Sequence, residues 1–127
     1  KIQENIEKFM LLSVAALDTG SEAFYHGMML GFCALFSNQY YVRSNREAGL
    51  GRFDIQLMPQ QKLLPGFLLE FKYTKDEGKE LSDLAVEALE QIDDKKYDIQ
   101  LQEVGVKQIV KIGIAFRGKN AVVKCSH

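Results

Sequence analysis

Apolar positions along the chain change their spacing several times, and each change marks an element. Across residues 1–17, Ile2, Ile6, Phe9, Met10 and Leu17 recur every three or four positions, the period of a helix. Its second half, residues 10–17, is apolar nearly all round, more than a surface helix of a small domain needs. That surplus predicts packing against a deep core, a second copy or an upstream domain. Asp18-Thr19-Gly20-Ser21 breaks the pattern, Ser21 suits an N-cap, and Glu22 falls in a first turn where negative charge complements the helix dipole. A second helix is expected over 22–36, with Phe24, Met28, Phe32 and Leu35 or nearby residues inward, ending at Ser37-Asn38.

The period then shortens to two. Residues 40–45 alternate as a first strand, and Gly49 and Gly51 turn the chain into a second over 52–58. Pro59 stops that strand, and Pro65-Gly66 opens a third over 66–73. Phe67, Leu68, Leu69 and Phe71 are nearly continuous in hydrophobicity, as in a central strand covered on both faces. After a polar linker at 75–81, Leu81, Leu84, Ala85, Ala88, Leu89 and Ile92 form one helical stripe. The stripe loses phase at 93–96 and resumes at Tyr97, Leu101 and Val104, which predicts a kink or break before a C-cap at Gly105. Residues 107–116 alternate as a fourth strand, Gly118-Lys119-Asn120 turns, and 121–124 make a short last strand. Joining the third strand to the fourth through a helix requires a crossover, so the sheet is mixed, with helices on its faces. The expected class is α/β with an αβββαβ core.

Composition narrows the function by exclusion. A chain of 127 residues that is 46% hydrophobic and 26% charged suits one soluble domain with a modest core. A net charge of −1 means that any contact with nucleic acid has to come from a local basic patch. No apolar run approaches the roughly 18 residues of a membrane span, and no secretory signal pattern opens the chain, so the expected location is the cytoplasm. Cys33 and Cys125 lack metal-ligand spacing, and Cys33 reads as an inert core thiol. The start at Lys1 without a methionine fits a piece of a longer chain, residues 1–20 being a helix and linker at a domain junction and 21–127 the domain proper.

Charge falls where buried strands should carry none. Asp54 lies in the second strand; Glu70 and Lys72 lie two apart in the third, on one face. A buried carboxylate costs several kcal/mol unless it is paired or bound to metal. These three groups can therefore form a strand-to-strand Asp–Lys or Glu–Lys pair, or the carboxylates can hold a divalent cation. Arg43, Arg46 and Arg52, with Tyr40, Tyr41 and Phe53 around them, read either as a phosphate-tracking rim or as a solvated strand edge.

The spacing of Asp54 from Glu70-Phe71-Lys72, after a helix bearing Glu22, resembles the PD-(D/E)XK nuclease superfamily. Further segments resemble its nuclease-like domain found behind a predicted bacterial ATPase domain: Glu22-Ala23-Phe24-Tyr25-His26-Gly27, Arg43-Ser44-Asn45-Arg46-Glu47, Gly51-Arg52-Phe53-Asp54, Ala88-Leu89-Glu90-Gln91-Ile92 and Gly113-Ile114-Ala115-Phe116. The resemblance implies a restriction-endonuclease-like fold and metal-dependent hydrolysis of phosphodiester bonds in nucleic acid, DNA foremost. It implies Asp54, Glu70 and the Phe71 backbone carbonyl as ligands of Mg²⁺ or Mn²⁺, and Lys72 beside the attacking water. The rival is a fold that grips nucleic acid or protein beside an ATPase without cutting. Glu22 is either a third carboxylate or a first-turn residue serving the helix dipole. His26, one turn later, either contacts Glu22 or a phosphate, or is a satisfied, partly buried histidine. A helical Gln with a nearby Tyr implicates Gln91, whereas Tyr97 meets it only if the helix kinks between them. An upstream ATPase domain or a second copy is the expected partner.

Overall fold

β-Branched and aromatic side chains at alternating positions build five strands that hydrogen-bond in the order β1-β2-β3-β4-β5. The computed structural model describes residues 22–47, 52–61, 63–95, 102, 105–118 and 120–126, without the side chains of 22–24, 46, 47, 94 and 95. The elements are α1 (Glu22–Ala34), β1 (Tyr40–Glu47), β2 (Arg52–Pro59), β3 (Gly66–Tyr73), α2 (Leu81–Lys95), β4 (Ile109–Arg117) and β5 (Asn120–Ser126). β1, β2 and β3 form an antiparallel meander, β3 pairs with β4 in parallel, and β4 returns to β5 antiparallel. The parallel pairing is the crossover that the intervening helix demands.

Alternation divides each strand between two helices. Phe53, Ile55 and Leu57 of β2, Phe67, Leu69 and Phe71 of β3, and Ile112, Ile114 and Phe116 of β4 point to one face. Tyr25, Met29, Phe32 and Cys33 of α1 join them in the main core. Full burial of each such aliphatic or aromatic side chain contributes about 1.5–3 kcal/mol. On the opposite face α2 lays Leu81, Leu84 and Ala85 near Ala115, and Ile92 beside Leu68 and Val106. β3 is thus covered on both sides, which explains why residues 66–71 are buried without alternation.

The strand bounds and those of α1 differ from expectation by one or two residues, and β3 matches it throughout. α1 faces the core much as expected, with Phe32 buried and Met28 packed against the core, but Leu35 departs. Tyr25, Met29 and Cys33 are buried, whereas Leu35 is 74% exposed in the turn beyond the helix. A helix reading EAFYHGMMLGFCA is apolar on nearly every side, so its periodicity does not choose a face. The expected helix at residues 1–17 and the break at 93–97 lie largely outside the described residues.

Candidate active site

Sheet register places the acidic residues opposite one another. Asp54 pairs with Glu70 across β2 and β3, and Arg52 with Lys72 one step further along. On the same face Asn45 of β1 pairs with Asp54, and Gly113 of β4 with Glu70. One row therefore crosses the sheet as Asn45, Asp54, Glu70, Gly113 and Lys124. Asp54 is 4% exposed and Glu70 0%, although like charges directly opposite in a sheet repel. Asn45 Nδ2 donates to Asp54 Oδ1 at 3.3 Å, which holds one carboxylate oxygen from the edge strand. Gln56, two residues from Asp54 on this face, is also buried.

α2 walls the site because Gly113 lets it come close. A Cβ at Gly113 would lie 2.3 Å from the Ala85 carbonyl oxygen and 2.8 Å from the Leu89 nitrogen. The absence of a side chain there seats the helix backbone directly on the sheet, one strand from Glu70. Leu84, Glu87 and Gln91 recur along one flank of the helix. Gln91 Oε1 is buried with no hydrogen-bond partner among the described residues. Leu84 and Glu87 line an open cleft of about 180 Å³ with Arg52, Lys72, Tyr73, Thr74 and Lys79. The loop that brings Lys79 there is fixed by Arg117, whose Nη1 donates to the carbonyls of Asp76 at 3.1 Å and Lys79 at 2.6 Å. The cleft thus gathers three cationic side chains beside the carboxylate pair.

Lys72 makes no ion pair with Asp54, Glu70 or any other described residue. The Asp–Lys or Glu–Lys pair weighed from the sequence is not formed, and the ammonium lines the cleft. Asp54 and Glu70 fit a hard divalent ion, which takes one or two carboxylates and keeps several waters. Among the described residues no group of three or more His, Cys, Asp or Glu side chains converges to complete an all-protein cage.

Other residues singled out from sequence fall elsewhere. Arg43 and Arg52 share the site face, whereas Arg46 pairs with Phe53, in the alternate register, and its side chain is outside the described set. Tyr40 and Phe53 are core residues and not a rim; Tyr40 donates its hydroxyl to the Pro65 carbonyl at 2.7 Å. His26 is on the far side of the sheet, its Nε2 2.8 Å from Ser44 Oγ and its ring edge-on to Phe53. That hydrogen bond is the one a satisfied, partly buried histidine makes. Glu22 opens α1, which packs on that same far face; its side chain and Tyr97 are outside the described residues. Asn45, Lys79 and Glu87 were missed. Asn45 is findable once strand register is fixed, and Glu87 by helical spacing from Leu84, but nothing local to Lys79 signals a loop folded back by Arg117.

A mixed five-stranded sheet flanked by two helices is the restriction-endonuclease-like α/β architecture. The family model of the PD-(D/E)XK nuclease superfamily matches residues 20–126, and the chain belongs to that superfamily. No curated protein and no solved structure matches the chain. Nucleases of this superfamily generally use divalent metals, and among the described residues no helix is long and apolar enough to cross a membrane.

Proposed function

We propose that this domain hydrolyses phosphodiester bonds of nucleic acid, DNA foremost, with Mg²⁺ or Mn²⁺. The observation that carries the reading is the meeting of two buried carboxylates with a lysine that makes no ion pair among the described residues. Asp54, Glu70 and the Phe71 carbonyl would hold the metal, which when bound supplies an activated water and charge stabilisation at the phosphate. Lys72 orients that water and offsets negative charge developing on the phosphate. Arg52 and Lys79 hold the neighbouring backbone in the cleft. Gln91 turns its buried amide toward the same flank, and Arg43 approaches from the edge strand. Glu22 remains a candidate third carboxylate. The domain would act in the cytoplasm, with residues 1–20 forming the junction to an upstream ATPase domain.

The second reading is a nuclease fold that binds nucleic acid or protein without cutting. Among the described residues no third His, Cys, Asp or Glu side chain joins the pair, and this reading needs none. Cleavage of single- and double-stranded DNA and RNA across a titration of Mg²⁺ and Mn²⁺ separates the two. Metal-dependent cleavage abolished by Asp54→Ala is the expected result. Retained nucleic-acid binding with no cleavage under any metal would establish the binding module, and neither binding nor cleavage would defeat both nucleic-acid readings.

A further inference from the structure

The face that carries Asp54 and Glu70 is covered unevenly. α2 lies over β3, β4 and β5, while along β1 the residues of this face, Tyr41, Arg43 and Asn45, are exposed. They stand at alternate positions of an edge strand, so all three side chains project to the same side. Tyr41 is 64% exposed, a large ring left in solvent on a β-sheet surface. Arg43 has no ion-pair partner among the described residues, and Asn45 touches Asp54. An aromatic ring, an exposed cation and an amide thus lead in order to the buried carboxylates, over about 14 Å from Tyr41 to Asn45.

We infer that the β1 edge is a track for single-stranded nucleic acid, with an unpaired base stacked on Tyr41 and a phosphate on Arg43. The inference rests on the nucleic-acid reading above and adds the substrate's strandedness to it. A base inside a duplex has both π-faces occupied by its neighbours, so an isolated exposed ring can stack only on an unpaired base. Arg43 supplies a phosphate contact two residues further, and Arg52 and Lys79 of the cleft continue the cationic path past the carboxylates. At 3.4 Å per stacked nucleotide, the track spans about four nucleotides. An edge strand can also join a second copy of the chain, but the exposed Arg43 beside Tyr41 favours a polyanion.

The test is fluorescence anisotropy in EDTA with labelled oligothymidylate, oligouridylate and an oligothymidylate–oligodeoxyadenylate duplex at one salt concentration. Hydrolysis of bis(p-nitrophenyl) phosphate with Mn²⁺ is measured alongside, as this diester is too small to reach Tyr41. Wild type is expected to bind single strands more tightly than duplex, the thymidylate and uridylate arms showing whether DNA or RNA is preferred. Tyr41→Ala weakens single-strand binding roughly ten-fold or more, Tyr41→Phe retains it, and small-diester hydrolysis is unchanged in both. Arg43→Ala lowers the salt dependence of binding by about one counterion, while Lys124→Ala, on the far edge strand, changes nothing. Tighter binding of duplex, or wild-type affinity in both Tyr41→Ala and Arg43→Ala, would overturn the track; if the small diester is still hydrolysed, the nuclease reading survives it. Loss of both hydrolysis and binding in wild type would sink the two together. A dimer that Tyr41→Ala splits, with single-strand affinity untouched, would assign the edge to self-association instead.

Discussion

At the scale of single residues, Lys72 separates catalysis from architecture. It is half-buried, lines the cleft and makes no ion pair among the described residues, so its removal leaves no buried partner charge among them. Lys72→Ala is expected to leave stability within about 0.5 kcal/mol, preserve nucleic-acid affinity and lower the cleavage rate about 10²–10³-fold. Lys72→Arg fails to restore the rate, because a planar, permanently charged fork does not replace a compact ammonium. Single-turnover cleavage beside urea unfolding checks both halves, and robust cleavage by Lys72→Ala would defeat the assignment. Cys33 offers a second test. Burial pushes its thiol from an ordinary 9.0 up to about 12. The unfolded chain then releases the proton first, so the thiol's contribution to stability is intact below pH 9 and is lost as pH rises from 9 towards 12. Urea midpoints across that range should fall more steeply for wild type than for Cys33→Ala; parallel slopes would contradict it. Asp54, Glu70 and Lys72 were legible because a two-residue spacing fixes a shared face and charge in an apolar run is conspicuous. Arg46 was not, because sequence proximity to the acids says nothing about which side of a sheet a residue takes.

At the scale of elements, α2 and β4 meet at a point that tolerates no side chain. Gly113→Ala would drive a methyl group into the Ala85 carbonyl and the Leu89 amide, both backbone atoms that cannot rotate aside. Overpacking of this kind costs about 1–3 kcal/mol and occasionally more. The upper end is expected here, and with it a looser wall beside Glu70. Urea unfolding and the cleavage rate should both worsen in Gly113→Ala, and an unchanged denaturation midpoint would show that the helix is free to lift. The sequence showed the glycine in an alternating strand and in a segment shared with the family, but not its role, which depends on a helix twenty-odd positions earlier. β3, by contrast, was legible end to end: Pro65-Gly66 opens it and its unbroken hydrophobicity announces two covered faces. The exposure of Leu35 beyond α1 was not, because hydrophobic residues on nearly every side leave the choice to tertiary packing.

For the whole molecule, the carboxylate pair makes stability a reporter of ligation. Asp54 and Glu70 sit opposite each other with little solvent to screen them, and like charges so placed destabilise a sheet by about 0.2–1 kcal/mol. A divalent ion that binds the folded chain and not the unfolded one adds stability by mass action, about 2.7 kcal/mol at a hundred times its dissociation constant. For a domain of this size that corresponds to a rise in melting temperature on the order of ten degrees. Asp54→Asn removes one of the two charges while keeping the volume. Its melting temperature without metal should therefore equal or exceed that of wild type, while its response to Mg²⁺ and Mn²⁺ largely disappears. Calorimetry of both proteins in EDTA and in millimolar metal reads the two effects separately, with no nucleic acid present. A wild-type melting temperature indifferent to both metals, together with an Asp54→Asn variant less stable than wild type, would mean that Asp54 serves the fold through its own contacts. The cleft would then be a binding surface whose cations act without a metal centre between them.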